Sequence, residues 1–226
     1  QVVALARETR QPHPRQTVAA AIQIFGGMRT LLAETDDAKK RNVTAGDFSL
    51  HKKDGVRCFR CGGTGRIAID LDFLPDFVRP CPECGGSRYE SSISEIRYRG
   101  LTLPEMLELT AEKAFRFFKG QHRLQKKLQL LKQVRLGYLR LGQALTELSK
   151  GERQRLRLAS ALAKTGGAET LLLIEELTVG LAAEELPSLL SVLRDFTTAG
   201  HSVLLVDAHE YWQKYSDKFQ NLSPRN

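Results

Sequence analysis

Four cysteines carry the most specific chemistry in this chain. Cys58 and Cys61 flank two residues, Cys81 and Cys84 flank two more, and 19 residues (62–80) separate the pairs. Each CxxC turn presents two thiolates to one ion, and the glycines after Cys61 permit the tight backbone this needs. Four thiolates close a tetrahedron and leave no position for water, so the spacing predicts one structural Zn2+ and no catalytic metal. Two unrelated redox or free thiol pairs are the alternative. Between the pairs, Ile67, Ile69, Leu71 and Phe73 alternate with Ala68, Asp70 and Asp72, the period of a strand arm held at its base by the metal.

A second candidate lies at Glu175-Glu176, directly after the apolar run Leu171–Ile174. At the tip of a buried strand, adjacent carboxylates can supply one acid for a metal and one to activate water. Upstream, Ser149 and Glu152 in "LSKGERQRLRLASAL" (148–162) form S-x-x-E, a capping box that opens a helix.

The elements that must position these residues can be read from periodicity. "VVAL" (2–5) reads as a short buried strand, followed by a polar loop with two prolines. Residues 17–33 read as helical, with Val18, Ile22, Phe25 and Met28 on one side and Gly26-Gly27 as a weak point; 34–56 read as polar and irregular. Leu124, Leu128 and Leu131 recur at helical spacing among basic residues. After the 148–162 segment come a strand at 171–174, a helix opened by Pro187 with Leu189, Leu190, Leu193 and Phe196, a stop at Gly200, and a strand at 202–206. Strand, helix, strand is a βαβ unit and calls for a parallel sheet with a right-handed crossover.

With 226 residues, 42% of them hydrophobic, the chain can bury a core of one or two domains. No apolar run approaches the ~20 residues that span a bilayer, and paired CxxC motifs suit a reducing compartment, so the expectation is a soluble, cytoplasmic chain with no membrane partner. The sequence starts at Gln1 and not at a methionine, and is expected to be a piece of a longer protein. The net charge of +8 is uneven: residues 101–165 hold 14 Lys/Arg against 5 Asp/Glu, and 166–226 hold 4 against 9. A basic segment of this kind suits a polyanion, and equally a solvated helical face.

Several motifs resemble known families. "CFRCGGTG" fits CxxCxGxG, the zinc repeat of DnaJ-type chaperones, although the second copy, "CPECGGSR", lacks the last glycine. The segment 148–162 resembles the signature motif of ABC-type ATPases, where a serine hydroxyl, glycine amides and the helix N-terminus bind the γ-phosphate of ATP held by an opposing domain. The order of zinc module, "LGQALTELSKGERQRLRLASALAK", "ETLLLIEELTVGL" and "AGHSVLLVDAHE" is similar to the C-terminal half of the UvrA family, the damage-recognition ATPases of bacterial nucleotide-excision repair; "DFLPDFVRPCPECGGSRY" and "LGYLRLGQ" match in the same order. The resemblance covers nearly the whole chain.

It implies a partial α/β ATPase domain of ABC type with a helical signature region and an inserted structural zinc module. Four segments are expected: residues 1–56, an N-terminal part and linker; 57–90, the zinc hairpin; 91–165, the basic signature region; 166–226, a βαβ part of the core. By resemblance, Ser149, Lys150, Gly151, Glu152 and Gln154 form the nucleotide signature. Glu175 and Glu176 stand where the family has its magnesium-holding and water-orienting acids. Lys126, Lys127, Lys132, Arg135 and Arg140 become candidate contacts to duplex DNA phosphates. A second ABC-type domain or homodimer, and a UvrB-like protein, are the implied partners.

Departures from the family decide the expected mechanism. No G-x-x-x-x-G-K-[ST] occurs, and "GGMRT" (26–30) has neither its lysine nor its spacing. The family's Q-loop glutamine falls on Arg7, its signature glycine on Lys150, its Asp-Glu on Glu175-Glu176, and a proline and a threonine on Leu177 and Val179. The switch histidine falls on Ala208, leaving His209 one residue late. Together these predict no ATP turnover by this chain, with ATP and Mg2+ belonging to a complete parent or an opposing domain. The competing expectation is a zinc-hairpin module that docks proteins, as in the chaperone zinc domains, without binding DNA.

Overall fold

Local signals set the element boundaries. The computed structural model describes residues 1–6, 12–50, 56–71, 74–90, 95–165 and 169–220. In chain order these form β1 (Val2–Leu5), α1 (Val18–Ala21), α2 (Phe25–Ala33), α3 (Asp36–Lys40), the pair β2 (Arg66–Leu71) and β3 (Leu74–Pro80), then α4 (Leu103–Glu108), α5 (Ala111–Phe117), α6 (His122–Gln133), α7 (Lys150–Leu162), β4 (Leu171–Glu175), α8 (Leu186–Thr198) and β5 (Ser202–Val206). Thr17, Thr35 and Thr110 accept backbone N–H groups at the starts of α1, α3 and α5. Thr102 with Glu105, and Ser149 with Glu152, form complete capping boxes on α4 and α7. Pro187 sits in the first turn of α8, and Gly200 follows its last turn at φ +89°.

The sheet has the order β1-β4-β5, and both pairings are parallel. The expected βαβ unit is therefore present, and the N-terminal strand extends it on the other side. Val3, Leu5, Leu172 and Ile174 point into a core shared with α1, α7 and α8. The opposite face stays open: Val2, Leu204 and Val206 are 63%, 55% and 48% exposed. The strands expected to be buried are thus covered on one side only.

Two expectations are corrected. Residues 17–33 form two helices, because Gln23 adopts φ +58° and turns the chain between them. The break precedes Gly26-Gly27, which lie inside α2, where the bare backbone of Gly27 lets Leu124 of α6 approach to 3.1 Å of where a Cβ would stand. The described part of segment 34–56, residues 34–50 and 56, is less irregular than its polarity implied: it holds α3, and Phe48 and Leu50 enter the core. In the cysteine module the arm is a hairpin, β2 antiparallel to β3, with a register shift between Ile69 and Leu71; Asp72 and Phe73 lie outside the described residues.

Candidate functional site

The two CxxC turns meet at the base of the hairpin. Cys58 Sγ lies 3.8 Å from Cys81 Sγ, and Cys61 Sγ lies 3.8 Å from Cys84 Sγ. All four sulfurs fall within 4.8 Å of one another. A tetrahedron with Zn–S bonds of about 2.3 Å has edges of about 3.8 Å, so the four thiols could hold one zinc ion with little adjustment. Backbone bonds fix the turns: Cys58 N donates to Arg88 O, Cys81 N to Gly65 O, and Gly65 N to Cys61 Sγ at 3.3 Å. Gly65, at φ +77°, must be glycine, since a Cβ there would stand 2.8 Å from the Gly86 carbonyl.

The module is tied to the helical region by side chains that its cysteine spacing does not reveal. The largely buried Arg88 donates to the Gly142 carbonyl at 2.8 Å, and Arg66 pairs with Glu147 at 2.9 Å, two residues before Ser149.

At the N-terminus of α7 the Ser149 hydroxyl accepts from Glu152 N, and the Glu152 carboxylate accepts from Ser149 N at 2.7 Å and from the Tyr138 hydroxyl at 2.6 Å. Burial raises the Glu152 pKa, but the bonds from Tyr138 and Ser149 outweigh it and hold the group below the usual carboxylate value. Lys150 is exposed and Gly151 is buried. A Cβ on Gly151 would lie 2.5 Å from the Gly180 carbonyl, and one on Gly180 would lie 2.8 Å from Lys150 Cβ. The start of α7 therefore sits directly on the loop that follows β4.

Gln154 continues that contact, donating to the Glu176 carbonyl at 2.9 Å. Glu176 adopts φ +50°, and its N–H donates to Val206 O. Glu175 closes β4 in register with Val206. The next loop contributes Asp207, whose carboxylate accepts from Thr178 N at 2.9 Å, Thr178 Oγ1 at 2.5 Å and His209 N at 2.9 Å. Asp207 and Thr178 were not anticipated. Their signal is topological, because parallel neighbours place the loops after β4 and β5 side by side.

His209 Nδ1 accepts from Tyr211 N and caps the turn Glu210–Tyr215. Arg7 lies outside the described residues. The "GGMRT" run falls inside α2 and offers no phosphate-cradling loop.

The five candidate phosphate contacts differ in their surroundings. At about 100° per residue on α6, Lys126 points away from the buried Leu124–Leu128–Leu131 stripe, while Lys127 and Lys132 flank it on opposite sides. Lys127 donates to the Gln23 carbonyl at 3.1 Å, Lys132 sits 4.7 Å over the Phe115 ring, and Arg140 pairs with Glu108 at 3.1 Å. The side chains of Lys126 and Arg135 have no such partner among the described residues.

Comparison with known proteins places this geometry. The chain is 39% identical over 211 residues to the UvrABC system protein A of Methanothermobacter thermautotrophicus, covering 93% of this chain and 22% of that protein. Identity to the UvrABC system protein A of Thermus thermophilus is 38% over the same shares. The crystal structure of UvrA2 from Deinococcus radiodurans matches with a TM-score of 0.81 and 38% identity, covering 92% of this chain and 25% of that one. No protein-family model matches. The chain thus spans 22% of the length of the curated relatives it matches. By sequence and fold alike, it belongs with the UvrA proteins, as a UvrA-like segment of mixed α/β, ABC-type architecture.

Proposed function

We propose that this chain is a DNA-binding, ABC-type segment of a UvrA-like damage-recognition protein of nucleotide-excision repair. One zinc ion on Cys58, Cys61, Cys81 and Cys84 acts as a structural staple, and the segment alone does not hydrolyse ATP. The observation that carries the reading is the docking of a four-thiol cluster onto the approach to a capped signature helix, in a chain 39% identical to UvrA relatives.

The chemistry supports a silent site. An isolated γ-phosphate would meet the N-terminus of α7, where backbone N–H groups and the cation of Lys150 favour negative charge. Gly151 is held by packing against Gly180, and the Ser149 hydroxyl oxygen already accepts a cap bond. The acid pair has Glu175 where the family has Asp, and the histidine that follows β5 caps a turn. ATP and Mg2+, if they act here, belong to the complete parent protein or to a second ABC-type domain or a homodimer partner presenting its own phosphate loop. A UvrB-like protein is the partner implied by kinship.

Equilibrium binding of the zinc-loaded chain to a short duplex, intact and lesion-bearing, across a salt series tests the reading. Each neutralised phosphate contributes a slope of about −0.9 in log K against log salt, so several contacts give a steep line. The expected result is that slope, with binding lost on chelation. A second reading, docking of a protein at the zinc module, is favoured by Phe59 and Val78, which are 74% and 50% exposed beside it. Salt-insensitive binding to unfolded protein, with no duplex binding, would favour it.

A further inference from the structure

The corner where α5 turns into α6 gathers positive charge. From Lys113 to Thr146 the sequence holds nine Lys/Arg and no Asp/Glu. Several of these cations are used inside the fold: Lys127 on the Gln23 carbonyl, Lys132 over Phe115 and Arg140 on Glu108. Lys119 in the connecting turn, and Arg123 and Lys126 on α6, are exposed and have no side-chain partner among the described residues. Residues three apart on a helix are neighbours, so Arg123 and Lys126 stand side by side.

A fourth cation reaches the same corner from another part of the chain. Tyr98 and Leu101 pair across a two-residue turn in which Arg99 has φ +49° and Gly100 has φ +85°. Asparagine or aspartate suits the place ahead of such a glycine, whereas an arginine is strained by a left-handed backbone. Here the side chain supplies a reason, because Arg99 Nη1 donates to the Phe117 and Lys119 carbonyls, both at 2.9 Å. The guanidinium therefore lies against the turn that carries Lys119. Further bonds hold the corner in one shape. Gln121 Nε2 donates to the Tyr98 hydroxyl, Gly120 N to Gln125 Oε1, and Gln125 Nε2 to Phe115 O. Carboxylates of the adjoining elements are taken up by other cations, Glu105 by Arg97 and Glu112 by Arg116.

Like charges held together without carboxylates repel one another, an arrangement that favours a polyanion. Arg99, Lys119, Arg123 and Lys126 are all exposed, so the corner offers contact points and no enclosure for a small anion. Resting on the DNA-binding reading above, we infer that Lys119, Arg123 and Lys126, with Arg99 behind Lys119, contact the sugar–phosphate backbone of duplex DNA. Contacts of this kind position a protein on the duplex and carry no sequence information.

The test is binding of the whole zinc-loaded chain to a short fluorescent duplex, intact and lesion-bearing, followed by anisotropy across a salt series. Lys119→Gln/Arg123→Gln removes two charges from exposed side chains and leaves the fold intact, which circular dichroism checks. The variant is expected to lower the slope of log K against log salt by about 1.8, at about 0.9 per contact. With affinities taken as equal at about 1 M salt, binding at about 0.1 M falls roughly sixtyfold, and equally for both duplexes. Lys119→Arg/Arg123→Lys keeps the charges and the slope. Lys214→Gln/Lys218→Gln removes two exposed charges from the C-terminal segment and leaves the slope as in the parent. An unchanged slope for Lys119→Gln/Arg123→Gln, in a chain that binds duplex, would overturn this surface and leave the DNA-binding reading to other residues. An equal fall in both neutralised variants would also overturn it, as an effect of net charge alone. A parent chain that binds no duplex at low salt removes both proposals together.

Discussion

At the scale of single residues, Gly151 shows how a motif glycine can persist for reasons other than ligand contact. The Gly180 carbonyl would stand 2.5 Å from a Cβ at this position, a backbone atom that cannot swing aside. Gly151→Ala is therefore expected to destabilise by about 2 kcal/mol through overpacking. For a chain of this size that lowers Tm by roughly 4–8 °C. Lys150→Gly, at the exposed neighbour, is expected to stay within about 1 kcal/mol of the parent. Thermal unfolding of both variants separates the two accounts. A Gly151→Ala chain that melts with the parent would return this glycine to a purely ligand-binding explanation.

At the scale of elements, α7 is held at both its start and its middle. The box residues Glu105 on α4 and Glu152 on α7 both have carboxyl pKa values lowered in the folded chain, Glu105 by the Thr102 backbone and side chain, and Glu152 by Tyr138 and Ser149 against opposing burial. A lowered folded pKa gives stability that is present above the unfolded value, near 4.5, and lost as pH falls through the folded value. Glu152→Gln should accordingly melt with a shallower dependence on pH below about 4.5 than the parent does. Circular dichroism across an acid series reads this directly, and identical acid profiles would refute it.

Further along α7 the buried Arg155 pairs with Glu185 at 3.0 Å, ahead of α8. Glu185→Ala leaves a buried guanidinium unpaired and is expected to cost about 3 kcal/mol, measured by denaturant unfolding. The sequence made α7, α8 and their caps legible, because capping boxes and apolar periodicity are local. Arg155–Glu185 and Thr178–Asp207 were not, because each joins residues 29 or 30 positions apart that only the parallel topology brings together. The same limit explains the basic residues: charge was countable, but whether Lys127 would be spent on the Gln23 carbonyl depended on a turn at Gln23 that its residue type does not announce.

At the scale of the whole molecule, the cysteine module is tied to the chain that leads into α7. Among the described side chains of the hairpin, Ile67 and Ile69 are only half-buried, and Arg66, Ala68 and Val78 are exposed. On the proposed reading, one ion held by the four thiolates would supply much of its order, and metal binding and local folding would be one process. What the module touches should feel the loss. Arg88 carries the Gly142 carbonyl, Tyr89 is buried with its hydroxyl donating to Phe48 O, and Arg66 reaches Glu147 just before the capping serine. Complete chelation is thus expected to expose residues 57–90 to protease first and to loosen the Leu145–Glu147 turn next, while the β1-β4-β5 sheet keeps its protection. Hydrogen exchange read peptide by peptide distinguishes the possibilities. Protection lost in 57–90 and at 145–149 supports a coupled unit; protection lost in 57–90 alone would make the zinc module a passive appendage. Unchanged protection throughout after chelation would mean that packing, and not metal, holds the cysteines together.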